Sequence, residues 1–117
     1  MRSPGVQFNV LQTVYVDAGV TVVQAEPGLA EAAQLFKILG HESRLRLLRL
    51  IGDRPRTVGE LADLTDMSQP LVSQHLRSLR HGGLVTAERS GKEVTYEIAD
   101  THVTHVIADA VAHVLEE

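Results

Sequence analysis

The stretch that most limits what this chain can become runs from Thr57 to Leu79. Thr57-Val58-Gly59-Glu60 has the form of a capping box, in which a threonine hydroxyl closes the start of a helix and a glutamate three residues on reaches back. That helix is short, running through Leu61 to about Leu64. Thr65-Asp66-Met67 then makes a turn, Ser68 caps a second helix, and Pro70 is tolerated in its first turn. Val72, Leu76 and Leu79 fall at i, i+4 and i+7 and bury one face. The opposite face carries Gln69, Ser73, Gln74, Arg77 and Arg80. Two capped helices joined by a short turn follow the helix-turn-helix plan. The exposed residue types suit nucleic acid, because Gln pairs bidentately with adenine, Arg with guanine or phosphate, and Ser with base or backbone.

The flanks extend this plan. His81-Gly82-Gly83 ends the second helix, and residues 84–88 and 93–98 read as two strands around Arg89-Ser90-Gly91-Lys92. Val94, Tyr96 and Ile98 alternate with Thr95 and Glu97, the pattern of a half-buried strand. Ser90-Gly91 reads as the tight turn, so that Arg89 and Lys92 project two cations at the tip of a hairpin. A helix-turn-helix followed by such a hairpin is a winged helix. The expected DNA-facing set is therefore Ser68, Gln69, Ser73, Gln74 and Arg77 on the second helix, with Arg89 and Lys92 on the wing.

Upstream, Leu29, Ala32, Ala33, Phe36 and Leu39 keep helical spacing and Gly40 is a natural stop. Residues 42–51 form a second helix with Leu45, Leu48 and Ile51 on one side and Gly52 after it, while Arg46 and Arg49 decorate its solvated face. In residues 1–27, Val14-Tyr15-Val16 and Val20-Thr21-Val22-Val23 flank Asp17-Ala18-Gly19, which reads as a weak hairpin or as a disordered arm. The expected division is an arm at 1–27 and one domain at 28–117.

Composition narrows the function. The 117 residues hold 44% hydrophobic and only 3% aromatic residues, so the core must be aliphatic. There is no cysteine, which excludes disulfides and thiolate metal sites and leaves histidine and carboxylate as ligands. No apolar run approaches ~18 residues, so no membrane span is expected. No secretory signal pattern opens the chain, so a cytoplasmic protein is expected. The net charge of −4 argues against general nucleic-acid binding, but the distribution does not. Nine cations lie between Arg44 and Lys92, and from Glu93 to the end there is no Lys or Arg. A basic middle and an acidic tail suit a protein that holds an anion with one part and a cation with another.

The tail is the other readable element. Asp100 is a plausible N-cap, and Val103, Val106, Ile107, Ala110, Val111 and Val114 recur at helical spacing. Val103, Ile107, Ala110 and Val114 are expected to be partly buried against a second copy. His102 and His113 stand eleven residues apart, so both rings lie on nearly one face, about 16 Å apart along the axis. Ligands sit at about 2 Å from a metal, so these two rings cannot share an ion within one helix. Across an antiparallel pair of helices they can, with Asp100 and Glu116 completing four ligands. Two imidazoles and two carboxylates suit a closed tetrahedral Zn(II) site and cancel its charge.

With these residues in view, residues 28–117 resemble the ArsR/SmtB family of metal-responsive repressors. The resemblance rests on L-R-L-L-R-L-I in the second helix, S-Q-P-L-V-S-Q-H-L-R-S-L in the recognition helix, R-S-G-K-E-V-T-Y in the hairpin, and the tail pattern D-x-H with H-x-x-E. It implies an α+β winged helix with dimerisation helices at both ends. It also implies a homodimer that binds operator DNA through positions matching Gln69, Ser73 and Gln74, and a zinc site at Asp100, His102, His113 and Glu116 whose filling releases the DNA. In such relatives the second ring nitrogen of the histidine matching His113 reaches a backbone carbonyl at the end of the recognition helix, here the His81-Gly82-Gly83 turn. Two departures matter. The cysteines that some relatives carry near residues 57–64 are absent, which disfavours sensing of arsenic, antimony, lead or cadmium by thiolates. His105 is an extra histidine one turn from His102 and from Asp109. It reads as a partly buried residue donating to Asp109, or as a further ligand for Ni(II) or Co(II), which recruit additional histidines.

Two other classes are weighed. A zinc hydrolase needs an open coordination position and a pocket, against which four well-placed ligands argue, so no enzyme and no organic substrate are expected. A winged helix used only for protein contact calls for a neutral face and wing, against which Arg77, Arg80, Arg89 and Lys92 argue.

Overall fold

The computed structural model describes residues 13–15, 21–23 and 26–116. The chain divides between Phe36 and Lys37 into two compact units. In the first, β1 (Thr13–Tyr15) pairs antiparallel with β2 (Thr21–Val23), Thr13 opposite Val23 and Tyr15 opposite Thr21. Of the two readings of this stretch, hairpin or disordered arm, the paired strands agree with the hairpin, shifted to 13–15 and 21–23, and Asp17-Ala18-Gly19 lies outside the described residues. Helix α1 (Leu29–Leu39) crosses the division, with Leu29 and Phe36 more than half exposed and Leu39 buried.

The second unit holds α2 (Glu42–Asp53), β3 (Arg56–Thr57), α3 (Val58–Thr65), α4 (Gln69–His81), β4 (Val85–Ser90), β5 (Glu93–Ile98) and α5 (Thr101–Leu115). Its sheet is antiparallel in the order β3-β5-β4. The core is aliphatic, as a chain with so few aromatics requires. Leu47, Leu48, Leu61, Val72, Leu76, Leu79 and Val85 are buried almost without exposure, and Val103 and Ile107 of α5 join them.

Both caps of the helix-turn-helix form as the sequence predicts. Thr57 Oγ1 accepts from the Glu60 backbone N–H at 3.1 Å, and Glu60 Oε1 accepts from the Thr57 backbone N–H at 2.9 Å. That second bond chiefly holds the Glu60 carboxyl below the usual glutamate range. Ser68 Oγ accepts from the Leu71 backbone N–H at 3.2 Å. Between the helices, Asp66 takes the left-handed conformation (φ 61°), which Asp tolerates better than most residues.

Three expectations are corrected. In α2 the buried stripe is Leu47, Leu48 and Ile51, with Leu45 only half-buried, and the helix runs through Gly52 to Asp53. Gly52 lies within the helix and does not end it, and a Cβ there would meet Thr104 Cγ2 of α5 at 3.4 Å, an ordinary contact. In the wing, Ser90 pairs with Glu93, so the two-residue turn is Gly91-Lys92 and Arg89 lies inside β4 opposite Val94. The turn sits there because its first residue needs positive φ (66°), and Gly91 supplies it without strain. In α5, Val103 and Ile107 are covered by their own chain rather than by a second copy, while Ala110 and Val114 are exposed in the single chain, as pairing with a second copy requires of them. Arg56, one of the nine cations of the basic middle, is drawn inside the fold. It is 8% exposed, donating to the Leu50 carbonyl at 3.2 Å and paired with Asp53 at 3.0 Å. Among the described residues no helix is long and apolar enough to cross a membrane.

Candidate functional site

Helix α4 places Val72, His75, Leu76 and Leu79 inward and leaves Gln69, Gln74, Arg77, Arg80 and His81 exposed, with Ser73 half-buried. Pro70, Gln74, Arg77 and His81 follow i, i+4, i+7 and i+11, so they run as one ridge opposite the buried stripe. Gln69 sits to one side of that ridge. Its Nε2 comes within 3.9 Å of the position a Cβ on Gly59 of α3 would take. Ser68 is exposed, and its hydroxyl oxygen is already engaged in the cap, leaving its proton to donate.

The cations divide by environment. Arg46 pairs with Glu42 at 3.3 Å, Arg54 with Glu60 at 3.8 Å, and Arg56 with Asp53. Among the described residues, no carboxylate pairs with Arg77 or Arg80 on α4, or with Arg89 or Lys92 on the wing, although Glu88 and Glu93 flank the wing pair in sequence. Arg77, Arg80 and His81 line one shallow depression, and Lys92 lines another beside Thr57, Val58 and Gly59 at the start of α3. Unneutralised positive charge thus remains on the helix and hairpin that a duplex would meet, which is the condition for holding phosphates.

The far end of α4 closes in a Schellman turn. The Leu84 N–H bonds to the Leu79 carbonyl at 2.9 Å and the Gly83 N–H to the Arg80 carbonyl at 3.0 Å, with Gly83 at φ +78°. Gly82 lies against the tip of the Ile38 side chain, which would have to shift to admit a larger residue. A Cβ there would lie 2.6 Å from Ile38 Cδ1. Among the described residues, the turn's hydrogen bonds use the carbonyls of Ser78, Leu79 and Arg80 and leave those of His81, Gly82 and Gly83 without a partner.

In α5, Asp100 is the N-cap. Its Oδ1 accepts from the His102 backbone N–H at 2.9 Å and stands 2.7 Å from His102 Nδ1. These bonds, the backbone one foremost, hold the Asp100 carboxyl below its usual range, so it is a carboxylate at neutral pH. The His102 side chain is 90% exposed. His113 lies in the last turn, exposed, and Glu116 is the C-cap, its N–H bonded to the His113 carbonyl at 3.2 Å. The chain therefore brings Asp100 and His102 together and holds His113 and Glu116 three turns away. Among the described residues of one chain, no three His, Asp or Glu side chains cluster as a metal site. His105 is exposed rather than partly buried, and among the described residues no hydrogen bond joins it to Asp109.

Sequence reasoning missed one polar link between α2 and α4. Arg44 of α2 donates from Nε to His75 Nδ1 at 3.3 Å, from Nη2 to Ser78 Oγ at 3.3 Å, and from Nη1 to the Ile38 carbonyl at 3.2 Å. The signal was present, because Arg44 precedes Leu47, Leu48 and Ile51 at helical spacing and His75 lies between Val72 and Leu79 on the buried side.

Comparison with known proteins places the motif. Residues 41–87 match the family described as bacterial regulatory protein, arsR family. The chain is 44% identical over 89 residues to the HTH-type transcriptional repressor SmtB of Mycobacterium tuberculosis, covering 76% of this chain and 66% of that protein, a little under two thirds. It is 37% identical over 84 residues to the HTH-type transcriptional regulator NmtR of the same species, covering 72% and 70%. Among solved structures, HlyU from Vibrio cholerae superposes with a TM-score of 0.69 at 33% identity, over 77% of this chain and 97% of that one. The homodimeric winged helix-turn-helix DNA-binding domain of a possible ArsR-family regulator from Mycobacterium bovis gives 0.69 at 32% identity, over 80% and 92%.

Proposed function

The chain belongs to the ArsR family of bacterial regulatory proteins, and from that premise we propose that it is a homodimeric repressor that binds operator DNA through residues 28–117 and releases it on binding Zn(II). The family consists of winged-helix transcriptional regulators rather than enzymes. The direction of regulation belongs to the proposal, because V. cholerae HlyU is described as an activator.

One observation carries the metal part. Asp100 and His102 present a carboxylate oxygen and a ring nitrogen 2.7 Å apart on the outside of the molecule. Two ligands of a tetrahedral Zn(II), at bonds of about 2.0–2.1 Å, stand roughly 3.3 Å apart. The pair therefore needs only to open slightly while the ion takes the place of the shared proton. Two ligands do not close such a site. The reading draws the others, His113 and Glu116, from the partner subunit, packed antiparallel along α5. Exposed Val111, Val114 and Leu115 on the last turns of α5, and exposed Leu29 and Phe36 on α1, support pairing of copies.

Coupling to DNA would run through His113. With one ring nitrogen on the ion, the other is free to donate, and the carbonyls of His81, Gly82 and Gly83 stand without partners at the end of α4. The DNA-facing set stays Ser68, Gln69, Ser73, Gln74 and Arg77, with Arg89 and Lys92 on the wing.

A second reading, Ni(II) or Co(II) as the effector, is favoured by one observation: His105 is exposed and lies one turn from His102. A DNA mobility-shift assay with and without Zn(II), Ni(II) and Co(II) separates the two. Release by zinc that survives His105→Gln supports the first reading. Release by nickel or cobalt alone, lost in His105→Gln, supports the second. Retention of DNA under all three ions rejects both.

A further inference from the structure

The half-buried guanidinium of Arg44 donates to three acceptors, and among the described residues none of its partners is a carboxylate. A cation partly withdrawn from water without a counter-ion is a poor way to gain stability, since apolar residues of similar size do as well or better. What it supplies is direction. Leu47, Leu48, Val72, Leu76 and Leu79 fix how closely α4 approaches α2, but apolar contacts leave rotation and sliding of the helix weakly defined. Hydrogen bonds of fixed geometry do not, and Arg donates through a rigid planar fork.

The anchor points give the arrangement its meaning. His75 and Ser78 lie one turn apart on α4, and each directly follows a residue of the exposed ridge, Gln74 and Arg77. Pinning 75 and 78 pins the backbone that aims 74 and 77. The His75 ring is itself held, 7% exposed and edge-on to the His41 ring at 5.3 Å between centroids. The third donor reaches the Ile38 carbonyl, and the Ile38 side chain abuts Gly82 at the other end of α4. One residue thus ties two points on the recognition helix to α2 and to the end of α1.

Resting on the reading of α4 as the DNA-reading helix, we propose that Arg44 is a positioning residue for sequence recognition: its fork to His75, Ser78 and Ile38 sets the rotation of α4 that lets Gln74 and Arg77 read bases. Phosphate contacts hold any duplex, whereas base contacts demand this alignment. Losing the fork therefore costs discrimination between sequences and leaves general DNA affinity in place.

The test uses the full chain and two duplexes, one enriched from a random library on the wild-type protein and one of the same composition scrambled. Binding is measured at a temperature where each variant keeps wild-type helix content. Arg44→Gln and Arg44→Lys are expected to lower the ratio of enriched to scrambled affinity about tenfold, the scale of one misread base pair, with scrambled affinity nearly unchanged. Lys keeps the charge and loses the fork, so its failure to rescue separates geometry from charge. Should either Arg44 variant fail to fold, Ser78→Ala removes one acceptor without emptying the interior, and the ratio should fall in the same direction. Imidazole ¹⁵N shifts of wild-type His75 should show the proton on Nε2 and Nδ1 as acceptor. A wild-type ratio in folded Arg44→Gln or in Ser78→Ala, or a proton on His75 Nδ1, overturns the positioning role alone. Enrichment of no duplex by the wild-type protein overturns the DNA reading and this proposal with it.

Discussion

Asp100 Oδ1 and His102 Nδ1 face each other at 2.7 Å while the same oxygen caps α5 through the His102 backbone N–H at 2.9 Å. One carboxylate thus has a structural duty and a proposed ligand duty, and substitution can separate them. Asn caps a helix about as well as Asp. Asp100→Asn should therefore melt close to wild type and bind zinc much more weakly, whereas Asp100→Ala should lose zinc and also about 1 kcal/mol of stability. Thermal melts and competition with a chromogenic chelator read the two effects. Unchanged zinc affinity in both variants would remove Asp100 from the ligand set.

The apolar residues of α5 serve two purposes according to position. Ile107 is buried in its own chain and Val114 is 73% exposed. Ile107→Ala should cost roughly 2–4 kcal/mol of unfolding free energy. Val114→Asp should leave the fold intact and weaken self-association, as sedimentation would record. A wild-type monomer at micromolar concentration with zinc bound would sink the shared site.

On DNA, Gln74→Ala should lower preference for the selected sequence by about 1–3 kcal/mol and relax it at one position. Arg89→Ala and Lys92→Ala should weaken all sequences alike and flatten the salt dependence. Competition binding at several salt concentrations distinguishes the two patterns. If all three variants bind as wild type, the recognition surface lies elsewhere.

Burial, then the charge of Arg44 and then His41, push the His75 pKa below its ordinary value near 6.5. The folded state therefore disfavours a proton that the unfolded chain accepts. Stability should be full above pH ~6.5 and decline as pH falls from there through the depressed folded value. His75→Asn, which keeps an acceptor and cannot titrate, should flatten that decline. Melting temperatures between neutral and mildly acidic pH provide the check, and an equal decline in the variant would place its origin elsewhere.

What the sequence made legible was local. The Thr57–Glu60 box, the Ser68 cap, the Val72-Leu76-Leu79 stripe and the Asp100 cap each depend on residues within one or two turns, and all are present. What it hid was tertiary. Val103 and Val114 share one helical spacing, yet the first packs within its own chain and the second does not, and periodicity cannot apportion them. The two-residue β3 is too short to carry any alternation, and it forms because Thr57 and Arg56 meet Thr95 and Tyr96 of β5. Arg44 and Arg56 were legible only as two of the cations of the basic middle, because a sequence does not show which acceptors a cation will meet. Only the fold shows the acceptors that draw them in.

The central claim is that filling the α5 site and holding DNA oppose each other, and zinc affinity measured twice tests it most directly. Zinc is titrated into the free protein and into its complex with the enriched duplex. Linkage is reciprocal, so DNA must weaken zinc by the factor by which zinc weakens DNA, and a typical coupling of about 1–3 kcal/mol predicts a loss of roughly 5- to 150-fold in the complex. Equal zinc affinities in the two titrations would contradict the account.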